Sequence, residues 1–352
     1  VQNLKSNLLL KLLVLILCFN TTFLFAESKE ATSTNSTKKY SPVDMIMEHV
    51  ADANEFHITT IGHKHIVFPL PCILFNYETK KFDCFLSSRF HHEHNVNGYV
   101  LKHGRVTRLD NNRFIDFSIT KNVFSMFISL LFGIVLFSIA AAGYKKRSNA
   151  APKGVQSLLE PLIMFVVDDV IKANIGKNYM KYVPYLTSVF FFILINNLIG
   201  LIPIFPFSSN LSGNIAFTFT MAFIAFLVIN LNGNRNYWHH IFAMPGVPKL
   251  MLIILTPVEI MGIFLKPAVL MLRLFGNITG GHIAILSVVS LIFILGNLGQ
   301  NIGGAIGGSI VAIPIVLFVN AMELLVALLQ AYVFILLTSI FIGTAIEEHE
   351  HH

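Results

Sequence analysis

Apolar residues fall along the chain in blocks. The first, over 12–18, is preceded by Lys5 and Lys11 and followed, after Phe25 and Ala26, by the polar Glu27-Ser28-Lys29-Glu30. A basic start, a short apolar core and a small residue before a polar junction have the form of a secretory signal peptide over 1–26. Residues 27–120 are polar: 28–41 read as a Ser/Thr/Asn/Lys-rich linker, while 56–60, 66–70 and 73–77 read as short strands or extended pieces. From 123 onward the pattern changes. Apolar runs over 123–144, 183–205 and 214–231 each approach the ~20 residues that one membrane-crossing helix needs. Two more, over 250–295 and 302–346 and joined by a glycine-rich piece at 296–308, far exceed that length, so they must be tilted, kinked or partly laid along the membrane. Over 153–182, Leu158, Leu159, Leu162, Phe165 and Val166 recur at helical spacing among charged residues, the pattern of an amphipathic interfacial helix.

These blocks predict an all-α polytopic membrane protein with about five membrane passes. Its last two helices form a long, tilted hairpin. The expected divisions are a signal peptide at 1–26, a small extracytoplasmic region at 27–120, a transmembrane domain at 121–346 and a tail at 347–352. Composition agrees: 54% of residues are hydrophobic and 12% charged, about half the charge of ordinary soluble domains, so the bilayer must act as solvent. The net charge of +6 does not point to nucleic acid, because the basic residues are scattered or flank apolar runs. One such cluster, Lys145-Lys146-Arg147, ends the first span and marks its cytoplasmic side by the positive-inside rule. Counting passes from an outside N-terminus puts the C-terminus in the cytoplasm of a bacterial inner-membrane protein. In the extracytoplasmic region Cys72 and Cys84 are either a disulfide pair or two free thiols. His91-His92-Glu93-His94 is not HExxH, and no metal site is assigned.

The most informative residues are ionisable ones inside the last two blocks. Arg273 lies among apolar neighbours far from either end of its block, where an arginine costs ~2.5–3.5 kcal/mol on insertion scales. It stays protonated, so it must meet protein, water or a counter-charge. On a straight helix Glu259, 14 residues earlier, lies ~40° away around the axis. Asn277 follows Arg273 by one turn, with Gly276 and Gly280 flanking the same face, and small residues let another helix approach closely. His282 points to roughly the opposite side. In the final block Glu323 and Gln330 share a face and Asn320 precedes Glu323 by one turn; His282 and Glu323 are candidate proton carriers. Two titratable groups on separate faces from a fixed cation meet the needs of a proton path with a barrier.

Leu272-Arg273-Leu274-Phe275-Gly276-Asn277 behind Lys266-Pro267, then Leu329-Gln330-Ala331-Tyr332-Val333-Phe334 and the ending Glu347-Glu348-His349, resemble the a subunit of F-type ATP synthase. The resemblance covers roughly 120–349 and is tightest over 255–349. It implies a non-catalytic, cofactor-free subunit that forms two offset half-channels beside a c-ring, with the b subunit of the peripheral stalk and membrane lipid as partners. In that reading Arg273 faces the c-ring carboxylate, Asn277 and Gln330 stand beside it, and Glu259 belongs to the cytoplasm-facing half-channel. Asn196 and Asn197 fall in a polar patch where many relatives carry acids, and Asn320 is a further polar candidate. His282 and Glu323 depart from the pattern: many bacterial relatives carry Glu first and His second, and here the two are exchanged. Nucleotide chemistry belongs to other subunits, since no GxxxxGK[ST] loop is present. The rival, a secondary ion transporter with an intramembrane Arg/Glu/His relay, predicts paired broken helices in two halves, and the sequence has no internal repeat.

Overall fold

The computed structural model describes residues 51–61, 64–77, 79–92, 95–102, 104–109, 113–146, 152–202, 209, 211–242, 244, 247–297 and 300–346. The expected signal peptide, the linker at 28–41, Glu93, His94, Arg147 and the tail at 347–352 lie outside the described residues. The chain divides into two compact units: Val1–Met126 with Ile202–Ala216 and Thr279–Met322, and Phe127–Leu201 with Phe217–Ile278 and Glu323–His352.

In the first unit, the stretch before the membrane is mainly β. β1 (Glu55–Ile61) and β2 (Lys64–Pro69) form one antiparallel hairpin, and β3 (Pro71–Asn76), β4 (Lys81–Leu86) and β7 (Phe114–Asp116) form a sheet ordered β4-β3-β7. β5 (Tyr99–Lys102) and β6 (Arg105–Arg108) make a second hairpin, after the one-turn helix α1 (Arg89–His92). The three extended pieces expected from sequence match β1 to β3; the other four strands were not legible. Asn97 and Gly98 both have positive φ, 54° and 84°, and join the bridged residues Val96 and Tyr99. Asn-Gly suits this tight turn because both residues tolerate the left-handed conformation.

Strand alternation sends Cys72, Leu74 and Phe85 inward to a core with Phe90, Val96, Tyr99 and Val106. It also decides the cysteines. Cys72 stands opposite Phe85, while Cys84 stands opposite Ile73, so the two thiols leave opposite faces of the sheet. Cys72 is buried and Cys84 exposed, and both are free. The disulfide alternative is therefore corrected to two free thiols, with only one of them buried.

The stretch is fixed to the first membrane helix, α2 (Lys121–Lys146), without a linker. The Lys121 amide donates to the Ala53 carbonyl at 2.8 Å and the Asn122 amide to the Asp52 carboxylate at 3.2 Å. The ring of Phe124 lies 5.8 Å from those of both Phe56 and Phe68. The first unit also holds the turn between the two longest helices, α7 (Lys249–Leu295) and α8 (Ile302–Ile346). Asn301 caps α8, its side-chain oxygen accepting from the Gly304 amide at 3.0 Å, as N-cap residues do. Gly296 faces Ala305, Gly308 faces Ile292, and a Cβ on Gly304 would collide with the Leu295 carbonyl. The glycines are what let the two backbones close into a hairpin.

The second unit is helical. α3 (Val155–Met164) passes into a π-helical segment, Phe165–Lys172, with Pro161 nearby, whose missing N–H weakens the ordinary ladder. Leu159, Val166, Val170, Ile171 and Ile175 are buried. Leu158 and Phe165, expected on the apolar stripe, are exposed at 66% and 41%, while Leu159 and Val166, each one residue further on, are buried. α4 (Val183–Gly200) follows, then α5 (Ile215–Leu231), whose first two residues fall in the first unit, and α6 (Arg235–Phe242). Phe137 packs edge-on against Phe191 at 4.9 Å, joining α2 to α4, and Phe226 stacks on Phe264 at 5.8 Å, joining α5 to α7.

Among the described residues four helices, α2, α4, α7 and α8, are long and apolar enough to cross a membrane; α5 with α6, bent by 102°, makes a fifth if taken as one span. At 47 residues, α7 is about 70 Å long, more than twice the hydrocarbon thickness of about 30 Å. Gly303 and Gly304 test the hairpin turn. Gly304→Ala is expected to lower stability by about 1–3 kcal/mol through overpacking, whereas Gly303→Ala, whose Cβ meets only the Asn301 side chain at 3.6 Å, is neutral or stabilising. Thermal unfolding of the two variants in lipid or detergent checks this contrast.

Candidate functional site

α7 remains helical through Pro257 and Pro267, since a backbone in hydrocarbon has no water to satisfy groups freed by unwinding. Within the second unit it packs through Ile263, Leu270, Leu274 and Ile278, all at most 8% exposed. Their spacing of four or seven residues defines one buried stripe. Arg273, Gly276 and Asn277 lie outside that stripe and are exposed. A Cβ on Gly276 would meet nothing within 4 Å. Gly280, in the first unit, is likewise exposed with open space at its Cβ. Near the midpoint of the helix the second unit thus presents an exposed cation with Gly276 beside it. Among the described residues none pairs with Arg273 or accepts a hydrogen bond from it.

Beside the cation, the Asn277 side-chain amide donates to the Gln330 side-chain oxygen at 2.9 Å. Gln330 is 2% exposed and sits on an inward stripe of α8 with Glu323 at 4% and Ala327 at 0%. Asn197 donates to the Ala327 carbonyl at 3.2 Å, so α4 is tied to α8 between the acid and the amide. Asn196 is occupied otherwise. Its oxygen accepts from the Ser129 hydroxyl at 2.7 Å, and its amide donates to the Phe192 carbonyl at 2.7 Å. Both asparagines are buried braces between helices.

Glu259 lies apart from this group. It lines a cavity of about 290 Å³ with Lys266, Tyr237, His240, Asn236 and Thr344 among its walls. Arg273 does not line it. The straight-helix wheel that places Glu259 near Arg273 ignores Pro267, which lies between the two. Lys266 Nζ sits 5.2 Å from the Phe341 ring centre and 5.9 Å from that of Tyr237, both within cation–π range. Lys266 and its cavity were missed as functional groups in the sequence, although the rule that drew attention to Arg273, a charge inside an apolar block, applies equally to Lys266.

His282 is half-buried in the first unit, whereas Glu323 belongs to the second; their pairing rests on the sequence. Asn320 is exposed and also belongs to the first unit, so it does not share the burial of Glu323. A second cavity, about 320 Å³, is lined by Lys177, Lys181, Asn232, Asn234 and Ile346. There the Lys181 ammonium donates to Asn232 at 2.7 Å and the Asn234 side chain to the Ile346 carbonyl at 2.8 Å. Basic side chains therefore gather at the C-terminal end of α8.

Comparison with known sequences supplies independent findings. A family profile described as "ATP synthase A chain" matches residues 123–343. Residues 45–123 match a profile described as a domain of unknown function. A protein named ATP synthase subunit a 2 from Chlorobaculum tepidum is 42% identical over 243 residues, 67% of this chain and 66% of the relative. ATP synthase subunit a from Chlorobium phaeobacteroides strain BS1 is 34% identical over 315 residues, 88% of this chain and 77% of the relative.

The Asn196 brace makes a testable prediction. Asn196→Ala is expected to cost about 0.5–1.5 kcal/mol of stability, the ordinary worth of one hydrogen bond, and to remove one partner of the Ser129 hydroxyl. The double variant Ser129→Ala with Asn196→Ala should recover part of that loss in an unfolding titration.

Proposed function

The chain belongs to the ATP synthase A chain family, and on that premise we propose that it conducts protons through two offset half-channels beside a rotating ring of c subunits. The observation that carries this reading is Arg273, a permanent cation near the middle of a membrane helix, exposed beside Gly276 and without a partner among the described residues. A carboxylate presented by a neighbouring helix would complete it. Gly276, with open space at its Cβ, leaves room for that helix to approach. Asn277, held by Gln330, supplies a neutral polar group beside the charge.

The sequence of events follows from the placement of charges. A proton enters by His282 and Glu323, the exchanged imidazole and acid, and passes to a ring carboxylate. The neutral carboxyl is able to travel through lipid because it carries no charge. It releases its proton beside the cavity that holds Glu259, Lys266 and His240. Arg273 separates the two paths: a fixed cation repels a proton moving straight across and attracts the carboxylate once it is ionised. Each charge crossing 100 mV supplies ~2.3 kcal/mol, which biases the direction of rotation.

Sidedness is supported by the lysines. Lys145 and Lys146 end α2, and Lys177 and Lys181 line the cavity beside Ile346. The positive-inside rule then gives that end of α8 to the cytoplasm, along with the Glu259 cavity, whose wall includes Thr344. The b subunit of a peripheral stalk is the remaining proposed partner, holding this subunit still while the ring turns.

Two experiments test the reading in vesicles carrying the assembled complex. Arg273→Ala is expected to abolish ATP-driven proton pumping and raise passive proton flux; intact coupling would overturn the assignment. His282→Glu combined with Glu323→His is expected to retain part of the pumping activity and to exceed either single change. Equal loss in all three would remove these residues from a shared inlet.

A further inference from the structure

The β4-β3-β7 sheet has two unlike faces. One closes over the core through Cys72, Leu74 and Phe85. The other, formed by the alternate positions, is built from Phe75, Tyr77, Phe82, Cys84, Leu86 and Phe117 together with Ile73 and Ile115. Register places Phe75 opposite both Phe82 and Ile115, and Leu86 opposite Pro71. Phe82 is 63% exposed, Tyr77 52%, Leu86 50% and Phe117 38%. Their rings form a connected group: Phe75 lies 4.9 Å from Phe82 and 5.6 Å from Tyr77, and Phe82 lies 6.4 Å from Phe117. Among the described residues of the three strands, no Asp, Glu, Lys or Arg occupies this face. Asp83 and Asp116 both stand opposite Leu74, on the core side. Exposed apolar surface of this continuity marks contact with another apolar phase.

The connection to α2 identifies that phase. Beyond β7, the Phe117 amide donates to the Ile73 carbonyl at 2.8 Å and the Ile119 amide to the Pro71 carbonyl at 3.1 Å. The chain therefore stays beside β3 until α2 starts at Lys121. Phe117 precedes Lys121 by four residues, a reach of at most about 14 Å. The hydrogen bonds from Lys121 and Asn122 and the packing of Phe124 hold the first turn of the membrane helix against the same β region. Lys80, Lys81 and Arg113, all exposed, sit at the end of the sheet where Asn76 pairs with Lys81 and Phe114. Aromatic rings with a basic rim are the composition of surfaces that rest among lipid headgroups.

We propose that the aromatic face of the β4-β3-β7 sheet lies in the interfacial layer of the membrane, with phospholipid headgroups and upper acyl chains as its partner. The region before α2 is then a lipid-seated collar at the start of that helix. It would limit tilting of α2 where the helix enters the bilayer.

Cys84 is a native reporter in the centre of this face. Cys72 does not compete for a thiol reagent, because it is buried and burial pushes its thiol up to about 11, leaving little of the reactive thiolate at neutral pH. The experiment places an environment-sensitive maleimide dye on Cys84 of the full chain, in a Cys18→Ser background and within the assembled complex. The vesicles contain phosphatidylcholine and phosphatidylglycerol. Quenching by a nitroxide on the lipid headgroup is compared with quenching by aqueous iodide. The proposal predicts strong nitroxide quenching and protection from iodide, with the order reversed by Phe82→Glu together with Phe117→Glu. Iodide quenching of the otherwise unchanged protein would put the face in water and overturn the proposal. Protection from both quenchers would show a protein cover and overturn it equally.

Discussion

A permanent positive charge near the middle of a membrane helix constrains everything around it. Arg273 has no partner among the described residues of its own chain and stands on the outward side of α7. An arginine so placed costs ~2.5–3.5 kcal/mol even on the mildest scale, a penalty that the opposite side of the helix helps to offset. Ile263, Leu270, Leu274 and Ile278 bury one stripe of α7, at roughly 1.5–3 kcal/mol for each fully buried large apolar side chain relative to an exposed one in water. That packing fixes the rotation of the helix, and the rotation fixes where the charge points.

The neighbouring polar groups are arranged so that few of them compete for the charge. Gln330 is engaged by Asn277, Asn197 by the Ala327 carbonyl, and Asn196 by Ser129 and Phe192. Each tie joins two helices or closes one helical turn, so the polar residues that cross the interior stiffen the scaffold. A second cation, Lys266, is treated differently. It is held over two aromatic rings in a cavity of about 290 Å³ with Glu259. The same helix therefore carries one charge in a polar cavity and another on an open surface, and the proposed separation of two proton paths depends on that difference.

Much of this was legible in the sequence because the bilayer imposes simple rules. Apolar blocks gave α2, α4, α5, α7 and α8 within a few residues, except that the block expected to reach 205 ends as helix at Gly200. Arg273, Gln330 and Asn277 were found as polar residues where none is expected. Other features depend on information that a linear pattern lacks. The Cys72 and Cys84 thiols diverge because of the β3–β4 register, which a count of intervening residues does not reveal. The buried stripe before α4 runs through Leu159, Val166 and Val170 and leaves Leu158 and Phe165 outside it. β4 to β7 are short strands whose partners come from distant positions. The Glu259 cavity needs α6, and nothing in the wheel of α7 alone announces it. Lys266 was the one site residue that the rule already in use should have yielded.

In the proposed function the Arg273 surface of α7 is completed by a helix from another subunit. Disulfide trapping tests it most directly, since a disulfide requires Cβ atoms about 3.5–4.5 Å apart. Gly276→Cys would be paired with a cysteine beside the acidic residue of the proposed ring helix, and Leu274→Cys, on the buried stripe, would serve as the control. The account predicts a cross-linked product from position 276 and none from position 274. A product from 274, or none from 276 in an assembled complex, would contradict it.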